Sequence, residues 1–259
     1  MKPLAQMDAS GVDAVLFDLD DTLSTDGKIT AEAYAALESL HQQGLRAVCV
    51  TGRPAGWCDH IARMWPVDAV IGENGAFYFW HAQGRLQRRF HDADGVRAEK
   101  RTRLSTIARR ILAAVPGSAL ASDQGYRETD LAIDYREDVP PLPLVEAERI
   151  ARLMKDEGLA AKISSIHVNG WFGDYDKLAM TRLLFRERYA LPEDRLRKHV
   201  VFVGDSPNDA PMFAYFDRSV GVANVETYGE LLAARPKYVT PSPCGRGFAE
   251  LAATLGRQK

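Results

Sequence analysis

Residues 15–23 read VLFDLDDTL, and they place three aspartates directly after a short apolar run. The run has the length and composition of a buried strand. Carboxylates this close together repel one another and resist ionising side by side. Such crowding is expected where a cation lies nearby or where the carboxylates do chemistry. A turn rich in aspartate is the alternative explanation.

The composition is that of an ordinary globular chain. The sequence has 259 residues, is 46% hydrophobic and 26% charged, and carries a net charge of -2. This charge gives no reason to expect binding to nucleic acid, and no apolar run is long enough to span a bilayer. The three cysteines (Cys49, Cys58 and Cys244) lack the spacing of a metal site or a disulfide framework. We therefore expect a soluble, cytoplasmic protein; its oligomeric state is left open.

The order of predicted elements indicates an α/β core with an insertion. Strand-like and helix-like segments alternate in the first third and again after residue 174, which favours a parallel sheet covered by helices on both faces. Between these parts, residues 76–90 predict a hairpin that turns at Gln83-Gly84, and further helices and strands follow. We predict a core of residues 1–81 and 175–259 and an inserted α+β cap of residues 82–174.

Two aspartates follow the first strand of this predicted core. Ligands of open α/β sheets bind beyond the carboxyl ends of the strands, so Asp18 and Asp20 lie where a ligand is expected to bind. Their separation of two residues can point both side chains the same way. One could attack an electrophile while the other protonates a leaving oxygen and later deprotonates water. Asp21 is expected only to shape the turn.

Two further segments could bind an anion. Thr51, Gly52 and Arg53 follow the second core strand, where a hydroxyl and free backbone N–H groups suit a phosphate oxygen. The alternative is that Thr51 caps the following helix. Lys177 in the segment GDYDKLAM could neutralise phosphate, although most lysines are simply solvated.

A second acidic cluster follows the strand-like run VVFVG. Asp205, Asn208 and Asp209 offer closely spaced oxygens of the kind that Mg²⁺ prefers. The alternative is a helix cap followed by acidic residues in the first turn, and both explanations can hold together. A site that gathered these aspartates with Asp18 and Asp20 would need a cation, which Mg²⁺ and a lysine would supply.

These four segments, in this order, resemble the signature motifs of the haloacid dehalogenase (HAD) superfamily of phosphohydrolases. The matching segments are DLDDTL (18–23), VTGR (50–53), Lys177 and GDSPND (204–209). Leu178 departs from the pattern, since the family often has glycine after the lysine. The insertion, preceded by GENGA (72–76), resembles the C2-capped subclass IIB, which includes Cof-type hydrolases, sucrose-phosphate phosphatase and mannosyl-3-phosphoglycerate phosphatase. The resemblance implies a Rossmann-like core with a C2B-type cap.

The resemblance also implies a role for each matching position. Asp18 would be the nucleophile that forms an aspartyl-phosphate, and Asp20 the general acid and base. The implied phosphate-binding residues are Thr51, Gly52, Arg53, Lys177 and Asn208, with Thr51 and Lys177 also counted as catalytic. The implied Mg²⁺ ligands are Asp18, Asp20 (through its backbone carbonyl), Asp205 and Asp209. Asn208 and Asp209 would orient the lysine or the metal-bound waters.

The implied function is a Mg²⁺-dependent phosphomonoesterase for a small phosphorylated metabolite, with a sugar phosphate as the favoured class. A phosphotransferase or mutase shares the covalent intermediate and is an alternative. A non-catalytic binding protein is a third, disfavoured because it would not need both Asp18 and Asp20. The cap is expected to set specificity, with four possible contacts: Arg127, His167, Asn169 and Trp171. The structural alternatives are a place in the cap core for the two ring-bearing residues and a solvated charge for the arginine.

Overall fold

The computed structural model of the protein describes residues 1–256. The strands in this range are β1 (Lys2–Pro3), β2 (Ala14–Phe17), β3 (Arg46–Val50), β4 (Ala69–Gly72), β5 (Phe77–Ala82), β6 (Arg85–Phe90), β7 (Ala119–Leu120), β8 (Asp130–Asp134), β9 (Ala160–Ile163), β10 (His167–Trp171), β11 (Val200–Gly204), β12 (Arg218–Gly221) and β13 (Tyr238–Val239). The α-helices in this range are α1 (Ala31–Gln42), α2 (Ala55–Met64), α3 (Asp94–Ala114), α4 (Leu144–Asp156), α5 (Lys177–Tyr189), α6 (Glu193–His199), α7 (Ala210–Tyr215) and α8 (Cys244–Gly256). Every helix in the described part is too short or too polar to cross a membrane.

Nine strands from both ends of the chain form one core sheet. Their order is β1-β13-β12-β11-β2-β3-β4-β5-β6, and all neighbours from β1 to β4 run parallel. The register aligns Phe17 of β2 with Val203 of β11 on one side and with Cys49 of β3 on the other. The residues that follow these three strands therefore meet at one edge of the sheet.

The central strands β2 and β11 are apolar along their whole length because helices cover both faces of the sheet. Val15 and Phe17 of β2 point to one face and pack in a cluster with residues of α1, α2 and α8. Ala14 and Leu16 point to the other face, where residues of α5 and α7 cover them. The predicted α/β core is thus confirmed.

The predicted hairpin extends the core sheet rather than the cap. β5 and β6 pair antiparallel with each other, and β5 pairs with β4 at the edge of the core sheet. Gln83 and Gly84 both have positive φ, as expected for a tight two-residue hairpin turn. The boundary predicted at residue 82 therefore falls inside this hairpin. We place the start of the cap after Phe90, because the chain leaves the core sheet there.

The inserted segment folds around its own antiparallel sheet. The order of this sheet is β7-β8-β10-β9, and α3 and α4 cover one face with an apolar cluster of their own. Side chains alternate along β10, so Val168 packs under these helices while His167, Asn169 and Trp171 face the core. This α+β arrangement is the one predicted for the cap.

Gly75 lies where the core sheet meets the start of α5, and we expect substitution by alanine to destabilise the fold. Its φ is +108°, and a Cβ at this position would overlap the backbone carbonyl of Asp176. A left-handed backbone and a backbone clash together predict a loss of about 2 to 4 kcal/mol in the free energy of unfolding. Urea denaturation of Gly75→Ala measures this loss. Gly84→Ala, with φ +71° and open space around the site, is the control; equal losses in both variants would contradict the clash.

Candidate active site

The four motif segments meet at the carboxyl edge of the parallel sheet. The backbone N–H of Asp18 donates to the carbonyl of Val203 (2.9 Å), and that of Thr51 donates to the carbonyl of Ile71 (2.9 Å). These bonds continue the strand ladders by one residue, so each side chain emerges where its strand ends. The sheet register thereby brings residues nearly 190 positions apart in the sequence into one site.

Lys177 is the centre of this site. It is the first residue of α5, whose N-cap is Asp176, and it is only 2% exposed. Its Nζ donates to Oδ1 of Asp18 (2.8 Å) and to Oδ1 of Asp209 (2.7 Å). Burial lowers the pKa of this ammonium, but the two carboxylates raise it well above its ordinary range. Lys177 is thus a buried charge, and the solvated alternative is wrong.

Asp18, Asp205 and Asp209 form a carboxylate triad that fits a divalent cation. One oxygen from each lies within 4.8 Å of the others, and all three side chains are buried. Three carboxylates and one ammonium leave two negative charges uncompensated, which a divalent cation would neutralise. Burial raises the pKa of Asp18 to about 7, and burial with the charges of Asp18 and Asp209 raises that of Asp205 well above its ordinary value.

The loop after β11 holds two of these carboxylates in place. Oδ2 of Asp209 accepts from the backbone N–H groups of Asp205 (3.1 Å) and Ser206 (3.3 Å), and Ser206 and Asp209 form a reciprocal capping box. Asp209 therefore completes the capping box of the turn Pro207–Asp209 through one oxygen and binds Lys177 through the other. Asp205 accepts from Thr22 Oγ1 and Asn224 Nδ2, both at 3.3 Å. The metal roles of Asp18, Asp20, Asp205 and Asp209 all stay predictions.

The turn after β3 has the form expected of an anion-binding loop. Thr51 is fully buried, and its Oγ1 accepts from the backbone N–H of Arg53 (3.0 Å). The N-cap of α2 is Pro54, so Thr51 does not cap that helix. Gly52 and Asn208 line a cavity of about 10 Å³ together with Asp18 and Asp20, and the cap segment 164–167 closes it from above. The structure brings these residues together; their contact with phosphate stays a prediction.

Arg53 connects the core to the cap. It is 4% exposed, and its guanidinium lies 4.3 Å from the ring centre of Trp57. One edge donates to both oxygens of Asp20 (2.9 to 3.1 Å), and the other donates to Asp123 (3.3 Å) and Glu137 (2.5 and 3.2 Å) of the cap. Arg53 was predicted to bind phosphate, but in this conformation its donors serve three carboxylates.

Glu137 should stabilise the closed cap in a pH-dependent way. Burial raises its pKa, but the contact with His167 and the hydrogen bonds from Arg53 lower it to about 2 from an ordinary 4.5. A depressed pKa means that the contribution is fully present above pH 4.5 and is lost as the pH falls toward 2. We expect Glu137→Gln to lower the free energy of unfolding by about 1 to 3 kcal/mol at pH 7 and by far less near pH 2.

Urea denaturation across this pH range measures the effect. The control is Asp138→Asn, because Asp138 is the next residue in the chain but its carboxylate accepts from Ser122 (2.6 Å) rather than from Arg53. A constant difference between Glu137→Gln and the unsubstituted protein at all pH values would contradict the assignment.

The four cap residues named as possible substrate contacts have different surroundings. Arg127 is buried and donates to Asp123, Asp130 and the carbonyl of Gly52, so its solvated alternative is wrong. Asn169 donates to Asp130 (3.0 Å) and lines the small cavity. His167 lines the small cavity, and its Nε2 lies 2.8 Å from Oε2 of Glu137. Trp171 packs in the apolar cluster of the core.

A second, larger cavity of about 620 Å³ opens beside the carboxylates. Asp20 and Asp205 stand at its inner end, Asn224 and Tyr228 line its core side, and Arg136 its cap side. It is large enough for a small metabolite.

Several residues of this arrangement carried no signal in the sequence. Asp123 and Glu137 lie in a cap segment without a motif, 70 and 84 positions from Arg53. Thr22 lies within the first motif, but the motif does not predict its hydrogen bond to Asp205. No sequence pattern predicts the hydrogen bond from Asn224 to Asp205 either. Only the tertiary fold identifies these contacts.

Comparison with known proteins agrees with this fold. Residues 15–93 match the profile of the haloacid dehalogenase-like hydrolase family. A Thermoplasma acidophilum protein is similar over 95% of this chain and 98% of its own, with a TM-score of 0.70 and 18% identity. The C-terminal domain of C. albicans trehalose-6-phosphate phosphatase is similar over 96% and 93% of the two chains (TM-score 0.69, 14% identity).

A HAD subclass IIB sugar phosphatase is likewise similar, over 95% of this chain and 99% of its own, with a TM-score of 0.63 and 14% identity. No curated protein sequence matches the chain. Residues 15–93 thus resemble the haloacid dehalogenase-like hydrolase family, and the chain shares its fold with these solved structures over nearly its whole length. The predicted α/β core with an inserted cap is thereby confirmed, and the profile match supports the predicted family.

Proposed function

We propose that the protein is a Mg²⁺-dependent phosphomonoesterase that hydrolyses a small phosphorylated metabolite of the sugar phosphate class. The observation that carries this proposal is the contact of Lys177 with Asp18 and Asp209 beside Asp205, in a buried site. Solved structures of similar fold include a sugar phosphatase and a trehalose-6-phosphate phosphatase, which supports the substrate class.

In the proposed reaction, Asp18 attacks the phosphorus and forms an aspartyl-phosphate while Asp20 protonates the departing oxygen. Asp20 then takes a proton from the water that attacks the phosphorus, and Asp18 is released. Phosphoryl transfer depends mainly on positioning and on neutralising charge. Lys177 would neutralise part of that charge, and the turn at Thr51 and Gly52 would position the oxygens.

The carboxylates Asp18 and Asp205, with the backbone carbonyl of Asp20, would hold the Mg²⁺. When bound, the ion offsets the charge of the phosphate and of the carboxylates around it. Asp209 and Asn208 would orient Lys177 and the waters of the site. A cytoplasmic location stays a prediction, as does the absence of nucleic-acid and membrane partners.

A panel of phosphorylated metabolites tests the proposal. Released phosphate is measured with Mg²⁺ for hexose, pentose and disaccharide phosphates, with phosphoglycerates and nucleotides for comparison. We expect at least one sugar phosphate to reach a kcat/KM of about 10⁴ M⁻¹s⁻¹ or more. An added acceptor alcohol separates hydrolysis from phosphoryl transfer to a second hydroxyl. Absence of phosphate release from every ester would contradict the proposal.

A further inference from the structure

The turn after β4 has an unusual backbone. Glu73, Asn74 and Gly75 have φ values of +43°, +55° and +108°, so three consecutive residues are left-handed and two of them have side chains. Strained backbone of this kind persists where the surrounding structure fixes it and is concentrated at functional sites. The segment GENGA was noted in the sequence, but the proposed mechanism gives it no role.

This turn is bound to the predicted phosphate loop. The backbone N–H of Asn74 donates to the carbonyl of Thr51 (3.1 Å), and that of Glu73 donates to the carbonyl of Arg53 (3.1 Å). The side chain of Asn74 lies over Gly52, since a Cβ added to that glycine would be 3.1 Å from Asn74 Nδ2. Glycine at position 52 therefore makes room for the amide of Asn74.

The hydrogen bonds around Asn74 fix which way its amide points. Ser206 Oγ donates to Asn208 Oδ1 (2.8 Å), so Asn208 must present its Nδ2 on the other side. That Nδ2 donates to Oδ1 of Asn74 (3.3 Å). The remaining group, Nδ2 of Asn74, is buried and has no acceptor within residues 1–256.

The unpaired donor adjoins two residues that line the predicted phosphate site. Gly52 and Asn208, its two neighbours, both line the cavity of about 10 Å³ that contains Asp18. This volume holds about one water molecule, so the site must widen when a phosphoryl group enters. Asn74 belongs to the core and would keep its place when the cap segment withdraws. Buried amide donors in proteins are rarely left unpaired, so Nδ2 of Asn74 requires an acceptor that residues 1–256 do not provide.

We propose that Nδ2 of Asn74 donates a hydrogen bond to an oxygen of the bound phosphoryl group. Asn74 is then a further substrate-binding residue, which presents a neutral donor beside the ammonium of Lys177. This inference rests on the proposed function, because the acceptor it names is phosphate.

Two substitutions test the proposal, and both residues tolerate the left-handed backbone. Asn74→Asp keeps the oxygen that binds Asn208 but replaces the donor by an oxygen that repels phosphate. Asn74→Gly removes the whole amide. The binding of inorganic phosphate to the full-length protein with Mg²⁺ is measured by calorimetry. We expect affinity to fall about 100-fold in Asn74→Asp and about 10-fold in Asn74→Gly.

The control is Gln83→Glu, which adds the same charge at another left-handed position, exposed in the β5–β6 hairpin and with φ +54°. It should bind phosphate as the unsubstituted protein does. Phosphate binding by Asn74→Asp that equals the unsubstituted protein, or exceeds that of Asn74→Gly, would overturn the proposal and leave Asn74 as a support for Asn208 alone. A failure of the proposed function would look different, since the unsubstituted protein would then neither bind phosphate nor release it from any ester.

Discussion

Replacement of Asp18 by asparagine is expected to abolish turnover of every phosphomonoester while the protein stays folded. The amide has nearly the same shape as the carboxylate, but it is a poor nucleophile and a poor metal ligand. Lys177 keeps its contact with Asp209 in this variant, so the buried ammonium does not lose both partners. We expect kcat to fall at least about 10⁴-fold.

An aryl phosphate is the substrate of choice for this comparison, because its leaving group makes no demand on the cap. Asp156→Asn is the control: Asp156 is an exposed acid at the end of α4 and lines neither of the two cavities. It should retain activity within about twofold. Asp18→Asn protein with a cooperative thermal transition and a kcat within tenfold of the unsubstituted value would show that Asp18 is not the nucleophile.

Removal of divalent metal is expected to have an effect nearly as large. The triad of Asp18, Asp205 and Asp209 with Lys177 carries two uncompensated negative charges, and a phosphate dianion would add to them. Without a cation the site should repel its substrate, so we expect activity to fall at least about 10³-fold after chelation and to return with Mg²⁺.

Binding of Mg²⁺ to the protein can also be tested without measuring activity. Mg²⁺ should raise the melting temperature of the metal-free protein, because the ion binds only the folded state, whereas NaCl at equal ionic strength should not. The substitution Asp205→Asn should remove that increase. Full activity after exhaustive chelation, or an unchanged melting temperature with Mg²⁺, would contradict the metal site.

The core of the fold was predictable because its signals are local. Apolar runs such as Val200–Val203 bounded by glycine and polar residues identify parallel strands, and the polar residues at their ends identify the site. Thr30, a residue type typical of helix starts, is the N-cap of α1, and its Oγ1 accepts from the backbone N–H of Ala33 (3.2 Å). The start of the cap was misplaced, because a hairpin has the same sequence pattern whichever sheet it joins.

The chemistry of the site was predictable only in part. Asp18 and Lys177 were predicted from their motifs. The sequence does not show that Lys177, unlike most lysines, is buried. The contact of Arg53 with Glu137 spans 84 positions and depends on how the cap meets the core. The unpaired amide of Asn74 follows from a chain of hydrogen bonds through Asn208, which no local pattern encodes.

The central claim is that Asp18 forms a covalent aspartyl-phosphate, and trapping that intermediate tests it most directly. The protein is mixed with Mg²⁺ and a ³²P-labelled aryl phosphate, quenched in acid after milliseconds to seconds, and digested for mapping of the label. In Asp20→Asn the intermediate should accumulate, because an aryl leaving group departs without a proton donor while the attacking water has lost its base. We predict nearly stoichiometric label on the peptide that contains Asp18 in Asp20→Asn, and none in Asp18→Asn. If the Asp20→Asn protein carried no label, or carried it on a residue other than Asp18, the account would be contradicted.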